Sequence, residues 1–423
     1  MDMAKKIVII GGGFAGLDVA KNVTSNGYQV TLVDRNNYIF FPPLLYQVAT
    51  GFLEASNISY PYRKMFRNRP NLNFRLGEVL RIIPEHNKIV LTTGELEYDY
   101  LVFATGTKTN YFGMENVRQK AIPMKTINDA LEMRNYILQQ LELATTLTLD
   151  KDRLRKILTL VVVGGGPTGV EISGMLAQMR TAKIRKDYPE LEKEERHIYL
   201  VDGNSQLLSP MSKKSQNAAF HALKKLGVQI ILNAHVIDFV EDKVKLSNGQ
   251  IIETENLVWS AGVTSQIFEG LPKECYGRGG RLITDAYNKV EGLVNVYAVG
   301  DTCIQATDKR FPSGHPQVAQ VALQQGKNLA KNFERLLKSR PLSPFIYKDR
   351  GAMAIIGRNK AVADIPPNIH FDGFVAWCIW LFVHLGSLVH YRNKVTTLYN
   401  WIVAYFTKDQ GLRMIIRPST KKT

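Results

Sequence analysis

The pattern that most constrains this chain occurs in it twice: an apolar, β-branched run, a turn with four glycines in six positions, a helical stretch, a second apolar run, and an aspartate at that run's end. In the first copy Lys6-Ile7-Val8-Ile9-Ile10 enters Gly11-Gly12-Gly13-Phe14-Ala15-Gly16, residues 17–24 read as helix, and residues 30–33 lead to Asp34. In the second, residues 157–163 enter Gly164-Gly165-Gly166-Pro167-Thr168-Gly169 and a helix is predicted over 170–182. A charged insertion at 185–196 follows, and residues 198–201 then lead to Asp202. Continuous short apolar runs fit strands buried on both faces, as in parallel sheets covered by helices. The chain is therefore predicted to be α/β, with two Rossmann-like units.

The glycine spacing has a chemical logic. A pyrophosphate is held where free backbone N–H groups and the positive end of a helix dipole converge. Gly11 permits the tight turn, Gly13 leaves room for the phosphates, and Gly16 lets helix and strand pack closely; Asp34 is placed to accept ribose hydroxyls. Gly164, Gly166, Gly169 and Asp202 repeat these assignments. The residues after Asp202, Gly203-Asn204-Ser205, offer no arginine to a 2′-phosphate, which favours NADH over NADPH. The competing reading makes Asp202 a loop cap. Residues 296–299 form another apolar run, delivering Gly300 and Asp301 to a strand's carboxyl end, where Asp301 can hold a flavin's ribityl hydroxyls.

Charge and cysteine usage narrow the partners. Lys and Arg number 54 against 38 Asp and Glu, a net +16 that attracts nucleic acid, anionic membranes or phosphorylated small molecules. The basic run at 183–196 alternates with acids and reads as a solvated face, and no nucleic-acid motif is present, so no nucleic-acid partner is expected. Cys275, Cys303 and Cys378 are too scattered for a disulfide framework, and no C-x-x-C spacing suggests a metal. Cys303 and Cys378 are expected to pack. A strand beginning near residue 5 leaves no room for a signal peptide, so a leader is not expected.

Together these segments resemble the two-dinucleotide-binding-domain flavoproteins of the glutathione-reductase-like type. Within them the chain looks most like a type II NADH:quinone oxidoreductase, a single-subunit NADH dehydrogenase, over essentially its whole length. The segments carrying that likeness are Phe41-Pro42-Pro43-Leu44-Leu45-Tyr46-Gln47-Val48-Ala49-Thr50-Gly51, Gly164 to Glu171, Ala319-Gln320-Val321-Ala322-Leu323-Gln324-Gln325-Gly326, and an aromatic tail with Trp377, Trp380, His384 and Trp401. The resemblance implies non-covalent FAD on Gly11, Gly12, Gly13, Phe14, Ala15, Gly16, Asp34, Arg35, Val79, Ala104, Thr105, Gly106, Gly300, Asp301, Ala319 and Gln320. It implies NADH as co-substrate on Gly164, Gly166, Pro167, Thr168, Gly169, Glu171, Asp202, Ala261 and Gly262, and no metal. A discontinuous FAD domain (1–115 and 285–335), an inserted NADH domain (116–284) and a membrane-associating region (336–423) are expected.

By the same resemblance, Glu171 sits near the nicotinamide–flavin contact and tunes it; its plain alternative is a carboxylate at a helix N-terminus. Gln320 and Gln324, four apart and so on one helix face, are the candidates for a quinone slot, against a pair that merely bonds backbone. The acceptor is a membrane quinone, ubiquinone or menaquinone. The closest rival, sulfide:quinone oxidoreductase, uses reactive cysteines and generally lacks an intact NADH motif. A flavin-bearing redox sensor is the non-enzyme alternative.

The tail sets the membrane reading. Residues 371–406 hold ten aromatics, including three of the four tryptophans. The apolar stretch 374–389 is shorter than the roughly 20 residues a spanning helix needs, so no span, and hence no proton pumping, is expected. Val395, Leu398, Tyr399, Ile402, Tyr405 and Phe406 recur at helical spacing, with Asn393, Thr397, Asn400 and Lys408 on the opposite face. With Arg392, Lys394, Arg413 and Arg417 flanking it, this helix is expected to lie peripherally on an anionic membrane surface, at the cytoplasmic face of a cell's inner membrane. A homodimer through the tail is expected by family likeness alone.

Overall fold

The structure is a computed structural model that describes residues 4–147, 150–182, 187–407 and 414–416. Lys408, Arg413 and Arg417, and residues 183–186 of the charged insertion, lie outside the described residues. Among the described residues, the helices of nine residues or more are α1 (Phe14–Asn22), α2 (Ile127–Thr146), α3 (Pro167–Ala182), α4 (Lys213–Lys225), α5 (Ala319–Leu337), α6 (Gly373–Ser387) and α7 (Tyr391–Thr407).

The chain forms two compact units. The first comprises Met1–Phe40, Tyr60–Lys108 and Val263–Asp349; the second comprises Phe41–Ser59, Thr109–Gly262 and Arg350–Thr423. Two of the five changeovers, 108/109 and 262/263, lie near the 115/116 and 284/285 that the sequence suggested, and the 41–59 segment and the tail share a unit with the second glycine motif.

In the first unit five strands run in the order Val296–Ala298, Tyr100–Phe103, Lys5–Ile10, Tyr28–Asp34, Leu72–Leu76, each parallel to its neighbours. Ile7, Ile9, Val30, Leu32 and Val102 are fully buried, which is why these runs show no polar alternation. The first strand lies between its sequence successor and a strand some 90 residues on, so its carboxyl end opens on a topological switch point. Helix α5 closes against α1 through Gly326, where a Cβ would lie 2.6 Å from the Ala15 carbonyl oxygen. Tyr28 donates its hydroxyl proton to the Phe333 carbonyl at 2.8 Å.

The second unit repeats the plan with Ile122–Pro123, Asn256–Trp259, Thr159–Val163, His197–Val201 and Val228–Ile231, again all parallel. A three-stranded antiparallel sheet from the tail, Ala352–Gly357, Lys360–Ile365 and Ile369–Asp372, packs on α3. The contact requires Gly174, since a Cβ there would collide with the Ile356 carbonyl.

Helices α6 and α7 cover the 41–59 segment. Trp380 is fully buried and Trp401 nearly so. The structure shows which stripe of α7 meets protein. The polar stripe of α7 faces inward: Asn393 Nδ2 donates to the Asn57 carbonyl at 2.8 Å and the Ser59 carbonyl at 2.9 Å, and Thr397 is wholly buried. The apolar stripe faces outward, with Tyr399 66% and Phe406 75% exposed, joined by Phe382 of α6 at 81%. Among the described residues, no helix is long and apolar enough to cross a membrane.

Candidate functional site

In the first unit the glycine turn lies at the carboxyl end of the central strand and opens into α1. Gly11 has φ +97° and sits on the 104–105 backbone, where a Cβ would lie 2.7 Å from the Ala104 carbonyl carbon; only glycine tolerates both. A Cβ on Gly16 would strike the Gly11 carbonyl oxygen, so turn and helix are locked together. Gly13, at the N-cap, has no protein atom within 4 Å of where its Cβ would be. This is the opening that a phosphate at a helix N-terminus requires, and no side chain caps the free N–H groups there.

Asp34 fixes the turn. Gly12 N–H donates to its Oδ2 at 2.6 Å and Asn36 N–H to its Oδ1 at 2.7 Å. Burial pushes its carboxyl above the usual range, and the two backbone donors and nearby Arg35 pull it back only in part. Each oxygen keeps lone pairs for a ligand hydroxyl. Arg35 is exposed, and Val79 begins the strand Val79–Ile83, away from this turn in sequence.

Ala104, Thr105 and Gly106 follow the neighbouring strand, and the Thr105 hydroxyl bonds the Thr302 hydroxyl at 3.2 Å. Gly300 has φ +75°, and its N–H donates to Gln325 Oε1 at 2.7 Å. Gln317 Nε2 holds the Asp301 carbonyl at 3.0 Å. The first unit therefore gathers Gly11–Gly16, Asp34, Ala104–Gly106 and Gly300–Asp301 at one sheet edge. A dinucleotide with a polyhydroxyl chain fits these donors and openings.

The two glutamines at the start of α5 are not equivalent. Gln324 donates to the Lys348 carbonyl at 2.8 Å and accepts from the Lys348 N–H at 3.0 Å, so its amide is committed to backbone. Gln320, beside Ala319 at the first turn, receives a hydrogen bond from the Tyr347 hydroxyl at 3.3 Å.

The second unit reproduces the first in detail. Gly164 has φ +111°, a Cβ on Gly169 would strike the Gly164 carbonyl oxygen, and Gly166 again opens on space. Asp202 accepts from Gly165 N–H and, at 2.7 Å, from Asn204 N–H. Pro167 opens α3, where its missing N–H costs nothing. Ala261 and Gly262 follow the adjacent strand, as Ala104–Gly106 do in the first unit; Gly262 has φ +71°.

Glu171 is 7% exposed on α3, and its Oε1 accepts a long bond of 3.4 Å from the Ile355 N–H. Burial with so little compensation drives its carboxyl well above the usual range, toward the neutral acid. Tyr46 lies within its electrostatic reach. Beside it, Gln47 bonds the Tyr46 hydroxyl at 2.9 Å and accepts from the Trp401 indole N–H at 2.8 Å. His384 stacks on Trp380, its ring pushed down to about 4 by burial.

Sequence reasoning missed Tyr62, whose hydroxyl donates to the Gly12 carbonyl at 2.8 Å, as well as Gln325 and Gln47. Gln325 and Gln47 lay inside segments already singled out, but nothing in their spacing distinguished them. Cys303 is buried, its thiol pushed up to about 11, which suits packing and not reactivity. Among the described residues, no group of three His, Cys, Asp or Glu could hold a metal.

Comparison with known proteins agrees with this geometry. A family model described as pyridine nucleotide-disulphide oxidoreductase matches residues 5–326, and one described as the NDH2 C-terminal domain matches 350–408. The chain is 36% identical to the type II NADH:quinone oxidoreductase of Mycobacterium tuberculosis, covering 96% of this chain and 89% of that one. The chain belongs to the type II NADH:quinone oxidoreductase family. The structure of NDH2 from Plasmodium falciparum in complex with NADH superposes with a TM-score of 0.90 at 22% identity, covering 98% of this chain and all of that one. The sulfide:quinone oxidoreductase of Aquifex aeolicus shares the fold, with a TM-score of 0.70 at 21% identity over 95% and 92% of the two chains.

Proposed function

We propose that this chain oxidises NADH with a membrane quinone, the first unit holding FAD and the second NADH. The observation that carries the reading is the doubled cradle: in each unit a positive-φ glycine, an open glycine at a helix N-terminus and an aspartate tied to the turn. Bound FAD supplies the redox centre that takes a hydride from NADH and passes two electrons to the quinone. The residues around it bind, orient and tune. Asp34 and Asp202 hold ribose hydroxyls while fixing their turns. Asp301 is assigned to the ribityl chain, with Gln325 setting the Gly300 backbone beneath it. Glu171, its carboxyl pushed upward by burial, tunes the field at the NADH site. Gln320 is the candidate to meet a quinone carbonyl, and Gln324 positions the segment after Phe345.

Steady-state assays test this directly. Gln320→Ala raises the quinone KM more than the NADH KM; the reverse pattern removes Gln320 from the quinone site. NADH is used in preference to NADPH, because no cation follows Asp202.

The outward apolar stripe of α6 and α7 is proposed to rest on an anionic bilayer, from the cytoplasmic side, drawn by the net charge of +16. Replacing Phe382, Tyr399 and Phe406 with Ser leaves the buried faces intact and abolishes co-flotation with anionic vesicles; undiminished flotation removes the stripe from the interface. A homodimer through the tail is tested by sedimentation of the same variant.

A further inference from the structure

One cavity belongs to neither glycine motif. It lies within the second unit, between α2, α3 and the strands Thr159–Val163 and His197–Val201, and measures about 100 Å³, within about 940 Å³ of atom-free space that includes its open mouth. Its walls are mainly apolar; Arg196, like Arg134, also lines it, alongside Ile137, Leu138, Leu141, Ile157, Leu176 and Ile198. Three of these continue the face of α2 that begins at Arg134, at spacings of three, four and seven.

Arg134 is the anomaly. It lines the cavity and is only 7% exposed, yet its Nε has no hydrogen-bond partner, and no ion pair reaches its guanidinium among the described residues. Burial pulls its pKa down, and Glu54, acting at longer range, offsets that desolvation only in part. Folded proteins leave few such donors buried and unpaired, so Arg134 Nε needs a reason. Asp187 also lines the cavity but is solvent-exposed, as expected at its mouth.

We propose that this cavity is a binding site for an anionic amphiphile of the fatty-acid class, its carboxylate paired with Arg134 and its chain lying along Ile137, Leu138 and Leu141. A guanidinium's planar fork matches a carboxylate. The predominantly aliphatic wall favours a ligand with one charge and a long apolar body over a bare inorganic anion, which would leave that wall unfilled. The site is separate from the second glycine turn, so its occupant does not compete with NADH.

The experiment is calorimetric titration of the full-length holoprotein, at one fixed concentration of non-ionic detergent, with decanoate, methyl decanoate and inorganic phosphate. Decanoate binds saturably, the ester and phosphate each at least tenfold more weakly, and saturating NADH leaves decanoate binding unchanged. Arg134→Met lowers decanoate affinity at least tenfold and raises the melting temperature of the decanoate-free protein, because it removes an unpaired buried charge. Leu138→Trp, which fills the cavity, also lowers the affinity. Equal affinity for acid and ester, displacement by NADH, or an unchanged Arg134→Met variant overturns the proposal. The comparison of acid with ester needs no variant, so a mutant that fails to fold does not shelter it.

Discussion

Gly13→Ala and Gly16→Ala differ by one methyl group each, three residues apart, and the structure assigns them opposite outcomes. At Gly16 the new Cβ strikes the Gly11 carbonyl oxygen inside the packed junction of strand and helix. The turn must move, at a cost of about 3 kcal/mol or more. At Gly13 the Cβ meets no protein atom within 4 Å, and φ −66°, ψ −165° is open to alanine. The N-cap position loses about 1 kcal/mol or less. What Gly13→Ala does fill is the space for the phosphates. Displacing them from one or two charge-assisted N–H contacts, worth roughly 1.5–3 kcal/mol each, weakens FAD by about one to four orders of magnitude. The assay is flavin content on purification, followed by FAD titration of the stripped protein and thermal unfolding without FAD. Gly13→Ala is expected to unfold near the wild-type temperature but bind FAD poorly, and Gly16→Ala to lose both. A Gly13→Ala protein that keeps wild-type FAD affinity refutes the assignment of that opening to phosphate.

The same logic makes Gly166→Ala raise the NADH KM at least tenfold while flavin content stays normal; lost flavin instead would tie this turn to FAD. Glu171 titrates higher in the folded protein than unfolded, so the folded state binds the extra proton, and its contribution to stability falls as pH rises above the ordinary carboxylate range. Glu171→Gln is expected to flatten that decline in a melting-temperature profile; an unaltered slope assigns the decline elsewhere. His384 is shifted the other way, toward about 4, so its contribution is present above its unfolded value near 6.5 and is lost as pH falls toward 4. His384→Asn removes that acid-side loss, and a profile identical to wild type contradicts it. Trp401→Phe deletes the indole donor to Gln47 and leaves a buried acceptor unsatisfied, costing about 1–3 kcal/mol in denaturant unfolding; no change would mean that water replaces the indole.

The elements legible in the sequence are those whose geometry is set within a few residues. Gly11 and Gly164 need positive φ and close approach, and the strands beside them advertise burial on both faces. Their partners come from far along the chain: Tyr62 reaches Gly12 across 50 residues, and Gln325 reaches Gly300 across 25. No periodicity carries that information. Helix α7 shows a different limit. Its pattern separates an apolar from a polar stripe, but which stripe faces protein depends on whether acceptors await it. The carbonyls of Ser56, Asn57 and Ser59 await Asn393, so the polar stripe turns inward. Likewise the 41–59 segment joins the unit of the tail, because Gln47 and Trp401 share a bond that no local pattern foretells.

Anaerobic rapid mixing of the purified, flavin-loaded protein with NADH tests the central claim most directly. Yellow flavin absorbance should bleach rapidly with NADH, far more slowly with NADPH, and return on adding menadione or ubiquinone. A protein that takes up no flavin, or whose flavin NADH leaves oxidised, would contradict the account.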